Sequence, residues 1–194
     1  MRLQYYSLLV IMMFCFGDIY SQSYKSSLIF EGALLSTETN YTEYNGISAR
    51  DYKTQEIIKG YSFTYSGKIN LGKDYHLEFR PGIFFSDLYY EGLQLGLYLR
   101  KDIDCFISIL GFNTSLNFST SHGILNVEQP KELTYFFVIG AGIKISKRFN
   151  ALLSYYKPPD KHFGHGRTTD YLSKTTSFEK NMFWAMRLGI EFNL

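Results

Sequence analysis

Apolar and polar residues alternate with period two through most of this chain, which predicts strands whose two faces meet different surroundings. Over 57–71, Ile57, Tyr61, Phe63, Tyr65, Ile69 and Leu71 share one face, while Ser62, Thr64, Ser66, Lys68 and Asn70 share the other. Over 91–100, Leu93, Leu95, Leu97 and Leu99 oppose Gly92, Gln94, Gly96, Tyr98 and Arg100. Over 133–146, Leu133, Tyr135, Phe137, Ile139, Ala141, Ile143 and Ile145 oppose Thr134, Phe136, Val138, Gly140, Gly142, Lys144 and Ser146. The final stretch sets Met182, Trp184, Met186, Leu188, Ile190, Phe192 and Leu194 against Phe183, Ala185, Arg187, Gly189, Glu191 and Asn193. Weaker alternation predicts strands at 26–37, 75–86, 105–117 and 149–157, which brings the number to eight. Pro81 interrupts the third of these eight and costs a ladder hydrogen bond unless a bulge accommodates it. In the fifth, Phe106, Leu110, Phe112 and Leu116 point outward, with Ile107 and Ile109 left ambiguous.

The links alternate in length. Polar stretches at about 38–55, 118–132 and 158–180 read as long loops. Gly72-Lys73-Asp74, Lys101 to Asp104 and Lys147-Arg148 read as tight turns, and Asp87 to Tyr90 is also short. An up-and-down antiparallel barrel entered from the periplasm puts its short turns there and its long loops outside the cell. Strands of 10 to 14 residues suit tilted spans, since about 9 to 11 residues cross the hydrocarbon layer.

Alternation alone does not say which face is inside. A soluble lipocalin-like barrel binding an apolar ligand turns its apolar face inward, and a membrane barrel turns it out. An eight-stranded barrel has an interior just wide enough for side chains to fill. The small residues lie on the polar face, at Gly92, Gly96, Gly140, Gly142, Gly189, Ser62, Thr64 and Ser66, and the apolar face is bulky. That distribution favours the membrane orientation. The inward charges Glu31, Lys68, Glu78, Arg80, Arg100, Lys144, Arg187 and Glu191 then need partners, because an unpaired buried charge is very costly. A lumenal network of ion pairs filling the barrel is expected.

Composition fits this picture. Aromatic residues make up 18% of the 194 residues, with 17 Tyr, 17 Phe and 1 Trp, as suits rings at a lipid–water boundary. Mean hydropathy is −0.14, because only alternate residues face lipid. A net charge of +2 gives no reason to expect nucleic acid. Arg2, the apolar run Leu8–Phe16 and the small polar exit Gly17–Ser23 read as a signal peptide spanning 1–21, cleaved after Ser21 or else after Ser23. The barrel domain then spans 22–194. Cys105 is left alone, so no intramolecular disulfide is expected.

The signal segment, eight alternating strands, asymmetric links and a terminal Gly189-x-x-Phe192-x-Leu194 together resemble the small OmpA/OmpX-type outer-membrane barrels. The resemblance implies that Gly189, Phe192 and Leu194 form the signal read by the outer-membrane insertion machinery. Leu194 stands where Phe is commoner. Membrane lipid and lipopolysaccharide are the implied surroundings, with a monomer as the functional unit.

Two candidate chemistries lie in the links. His162 and His165, with Asp160 and Asp170, have ligand types for a metal, but no defined further ligand, so no metal and no cofactor is expected. Ser121-His122 with His162 or His165 supplies residue types for a lipid A-modifying enzyme, without a matching local motif. Better functional candidates are the stretch with Tyr41, Tyr44 and Tyr52, and the basic stretch with Lys157, Lys161, Arg167, Lys174 and Lys180. The expectation is an integral outer-membrane barrel, non-catalytic, with a structural or surface-interaction role through its external loops.

Overall fold

The computed structural model describes residues 24–44, 48–86, 91–118, 121–122, 126–169 and 175–194. The expected signal peptide, with both cleavage points, lies outside the described residues. Eleven strands form among those described: β1 (Tyr24–Tyr44), β2 (Ala49–Gly72), β3 (Tyr75–Ser86), β4 (Gly92–Ile103), β5 (Phe106–Asn117), β6 (Ser121–His122), β7 (Asn126–Pro130), β8 (Leu133–Lys144), β9 (Phe149–Lys157), β10 (His162–Thr169) and β11 (Thr175–Asn193). Eight of them pair antiparallel in the order β1-β2-β3-β4-β5-β8-β9-β11, and β1 pairs β11 to close the ring. Closure leaves no sheet edge within the ring, which a bilayer core requires.

Tight turns and both described chain ends gather at one end. Gly72 (φ 116°) and Lys73 (φ 43°) turn β2 into β3, and Asp104 (φ 49°) turns β4 into β5. Gly72 takes a conformation that a Cβ disfavours, and its N–H is anchored on Asn70 Oδ1 at 2.9 Å. At the opposite end the chain departs from the expected loops. β1 runs on to Tyr44 and β2 starts at Ala49, so most of 38–55 is strand. Likewise β10 and the first part of β11 fall within 158–180. β10 pairs the upper half of β11, and β7 pairs β10. The upper parts of β2, β1 and β11, with β10, β7 and β6, therefore form a wall beyond the eight-stranded ring.

The period-two pattern sorts the faces. Leu97, Leu110, Phe112, Phe137, Ile139, Leu188 and Ile190 are all at least half exposed. Ile107 and Ile109 point inward and are buried. One assignment needs correction. β11 bulges at Phe183, so that Ser36 pairs Trp184 and Thr37 pairs Met182. The extra residue reverses the phase above it, and Met182 is buried inside rather than facing out. Pro81 needs no bulge of its own. It keeps its place opposite Leu95 of β4, and the β2–β3 register is the same on both sides of it, with Thr64 opposite Gly82 and Gly67 opposite Phe79.

Candidate functional site: the charged lumen

The inward positions of β1, β2, β3, β4 and β11 bring seven of the eight predicted charges into the lumen as buried groups: Glu31, Lys68, Glu78, Arg80, Arg100, Arg187 and Glu191. Lys144 is the exception. Its side chain is 34% exposed and sits at the turn-end mouth, 3.4 Å from Asp102 Oδ2. It lies at the rim because it is the last residue of β8, where the strand leaves the barrel.

The charges form two linked groups. In the lower one, Glu191 accepts from Ser27 Oγ (2.7 Å), Asn150 Nδ2 (2.7 Å), Arg100 Nη1 (2.9 and 3.0 Å) and Lys68 Nζ. Glu78 accepts from Ser66 Oγ and from Arg80 Nη2 (3.0 Å), and lies 3.8 Å from Arg100. Arg100 Nε donates to Asp102 Oδ1 at 2.7 Å. In the upper group, Glu31 accepts from Ser62 Oγ (2.8 Å) and Arg187 Nη1 (3.3 Å), and Arg187 also donates to Gln94 Oε1 at 2.6 Å. Four cations thus face four carboxylates, and Ser27, Ser62, Ser66 and Asn150 add neutral donors to Glu191, Glu31 and Glu78. Such geometry is what makes a buried ion pair tolerable.

Aromatic rings hold the arginines. The Arg187 guanidinium lies 4.1 Å from the Tyr156 ring centroid and 4.9 Å from that of Phe84, and Arg80 lies 4.7 Å from that of Tyr98. Gly96 makes room for the Tyr98 ring, since a Cβ there would lie 2.2 Å from it. Above the upper group the lumen turns apolar, with Leu35, Ile58, Phe84, Phe136 and Met182 buried together. The inner face is therefore not uniformly small, as its glycines and serines suggest, but is filled by aromatic and aliphatic side chains near its loop end.

Sequence reading missed Asp102, Gln94, Ser27, Asn150, Tyr98 and Tyr156 as members of the network. A signal existed for three of them. Gln94, Tyr98 and Asp102 share the even phase of Arg100, so extending β4 by two residues brings Asp102 inside. The terminal residues occupy the seam. Gly189 pairs both Glu31 and Leu152, and a Cβ there would meet Glu31 Cγ at 2.7 Å. Phe192 packs on Phe149 with centroids 5.2 Å apart, and the Leu194 N–H donates to Ser26 O at 3.0 Å.

The candidate metal ligands do not come together among the described residues. His162 Nδ1 is 3.0 Å from Glu179, and His165 stacks on His162 at 6.1 Å. Asp160 pairs instead with Lys131 at 2.5 Å, and no group of three metal-ligating side chains occurs. Asp170 lies outside the described residues. Ser121 and His122 pair with β7, which lies between them and β10, the strand that carries His162 and His165.

No protein-family model and no curated protein matches the chain. Solved structures do. Outer membrane protein AlkL matches at 16% identity with a TM-score of 0.50, over 90% of this chain and 92% of AlkL. The fold is that of an outer-membrane β-barrel. OprG of Pseudomonas aeruginosa aligns over 91% of this chain and 99% of its own, at 10% identity and a TM-score of 0.48. The protease OmpT of Escherichia coli aligns over 88% and 97%, at 8% and 0.47. The exposed apolar belt agrees with this fold independently. Soluble monomers rarely expose contiguous apolar patches beyond a few hundred Å², and this belt encircles the ring. The soluble, ligand-carrying alternative is thereby set aside, because the apolar face is turned outward.

Proposed function

We propose that this protein is a monomeric, non-catalytic outer-membrane barrel of the OmpA/OmpX kind, acting at the cell surface through the wall that rises beyond its belt. The observation that carries this reading is the contrast in strand length. β1, β2 and β11 have 21, 24 and 19 residues, whereas β3, β4, β5 and β8 have 12 each. Twelve residues suffice for a tilted span, so the extra length serves the aqueous side. The filled lumen argues for an anchor rather than an open pore. Short turns mark the periplasmic end and the wall the external end, as is usual for such barrels.

Membrane lipid and lipopolysaccharide are the proposed partners. Lys59 and Lys157 are exposed at the upper margin of the apolar face, beside Tyr61 and Tyr155, where cations meet lipid phosphates. Gly189, Phe192 and Leu194 are proposed as the signal that the insertion machinery reads, so Phe192→Ala should lower the amount of assembled barrel.

An epitope inserted between Tyr44 and Ala49 should bind antibody on intact cells, and one inserted at Lys73 should bind only after the outer membrane is opened. The reverse result, or recovery of the protein in the soluble periplasm, overturns the reading. For the non-catalytic part, lipid A mass spectra should be identical with and without the gene.

A further inference from the structure

At the turn end, below the ion-pair network, the lumen opens into a vestibule of about 310 Å³. Its wall is predominantly positive. Lys25, Lys68, Arg100, Lys144 and Lys147 line it, against the side-chain carboxylate of Asp102 and the main-chain carboxylate of Leu194. The other nearby carboxylates, Glu78 and Glu191, are fully buried behind it and occupied by their own donors. Lys25 and Lys147 are exposed and make no ion pair among the described residues. His76 and Asn150 add neutral polar groups to the wall.

The register sets this up. β1 holds Lys25 opposite Lys68 of β2, and β3 holds His76 opposite Arg100 of β4. Lys144 ends β8, and Lys147 lies in the turn that follows it. Cations from separate strands thus converge on one space rather than spreading around a rim. Like charges held together repel, and a mouth with low-dielectric walls focuses the field on any anion that enters.

We propose that this vestibule binds a small phosphate-bearing anion. A phosphate offers more acceptor oxygens and more charge than a monocarboxylate, so it can satisfy several ammonium groups together. Lys25, Lys144 and Lys147 reach it from the mouth, and Lys68 and Arg100 form its floor.

The test uses the full barrel refolded into phosphatidylcholine nanodiscs and titrated with inorganic phosphate by calorimetry. Saturable binding is expected, stronger than for acetate and weakened by added salt. Lys25→Gln with Lys147→Gln should weaken it about tenfold, because both side chains lie outside the ion-pair network and should leave folding intact. Lys53→Gln with Lys59→Gln, at the other end of the barrel, should change it less than about twofold. Repeating the titration in nanodiscs containing phosphatidylglycerol separates the sources. Unchanged binding assigns the site to soluble phosphate esters, and lost binding assigns it to a lipid headgroup phosphate. Absence of saturable binding, or equal loss in the two double variants, overturns the proposal.

Discussion

Two regions of this barrel use the same charge pairs under opposite conditions. In the lumen, Glu191 and Arg100 meet at 2.9 Å with almost no exposure. In the wall, Lys53 and Glu38 meet at 3.5 Å with side-chain exposures of 67% and 17%. The chemistry is the same, but the cost of losing a partner is not. A buried charge without its partner has no water to turn to, whereas an exposed one is simply hydrated. The lumen is held by satisfaction of its charges, and the wall by strand pairing and ring contacts such as Tyr41 on Tyr52, at 4.8 Å and nearly parallel.

Removing Glu191 should break the lumen most severely. Glu191→Ala leaves Lys68 and Arg100 short of their shared acceptor and should destabilise by about 3–5 kcal/mol, read from the urea midpoint of the detergent-folded barrel. A midpoint within error of the unaltered protein would mean that the network does not hold the barrel. Gly96→Val tests packing in the same region without touching a charge. It forces the Tyr98 ring away from its place beneath Arg80 and should cost about 1–3 kcal/mol.

In the wall, Lys53→Ala should cost no more than about 1 kcal/mol, and the loss should vanish at high salt. A cost matching that of Glu191→Ala would remove the distinction between the regions. The smallest effect concerns Asp160. The hydrogen bond from Lys131, and then the backbone N–H of His162, hold its carboxyl below the ordinary aspartate range. Its contribution is fully present above the unfolded value and is lost as pH falls through the lower folded value. The carboxyl carbon shift of Asp160 should therefore titrate below that of an ordinary aspartate, and Lys131→Gln should move that titration upward.

Much of the lower barrel was legible because lipid and lumen impose different demands on alternate residues. That contrast wrote Leu93, Leu95, Leu97 and Leu99 against Gln94, Gly96, Tyr98 and Arg100. Residues 38–44 and 49–56 carry no such contrast. Both faces of the wall are polar, with Glu38, Asn40 and Thr42 on one and Thr39, Tyr41 and Glu43 on the other, so this stretch reads as loop although it is strand. Met182 was misplaced for another reason: one extra residue at Phe183 reverses the phase, and alternation counts residues without seeing a bulge.

The sequence by itself determined the strand class, the outward apolar belt and the inward charges, because these follow from local period and from the cost of burying ions. Only the tertiary structure decided which charges meet. Glu191 and Lys68 stand 123 residues apart, and their contact depends on barrel closure and stagger, which bring β2, β4 and β11 to one height. Closure also decided that Lys25, Lys144 and Lys147 share a space, since ring geometry rather than spacing along the chain sets the distance between strand ends.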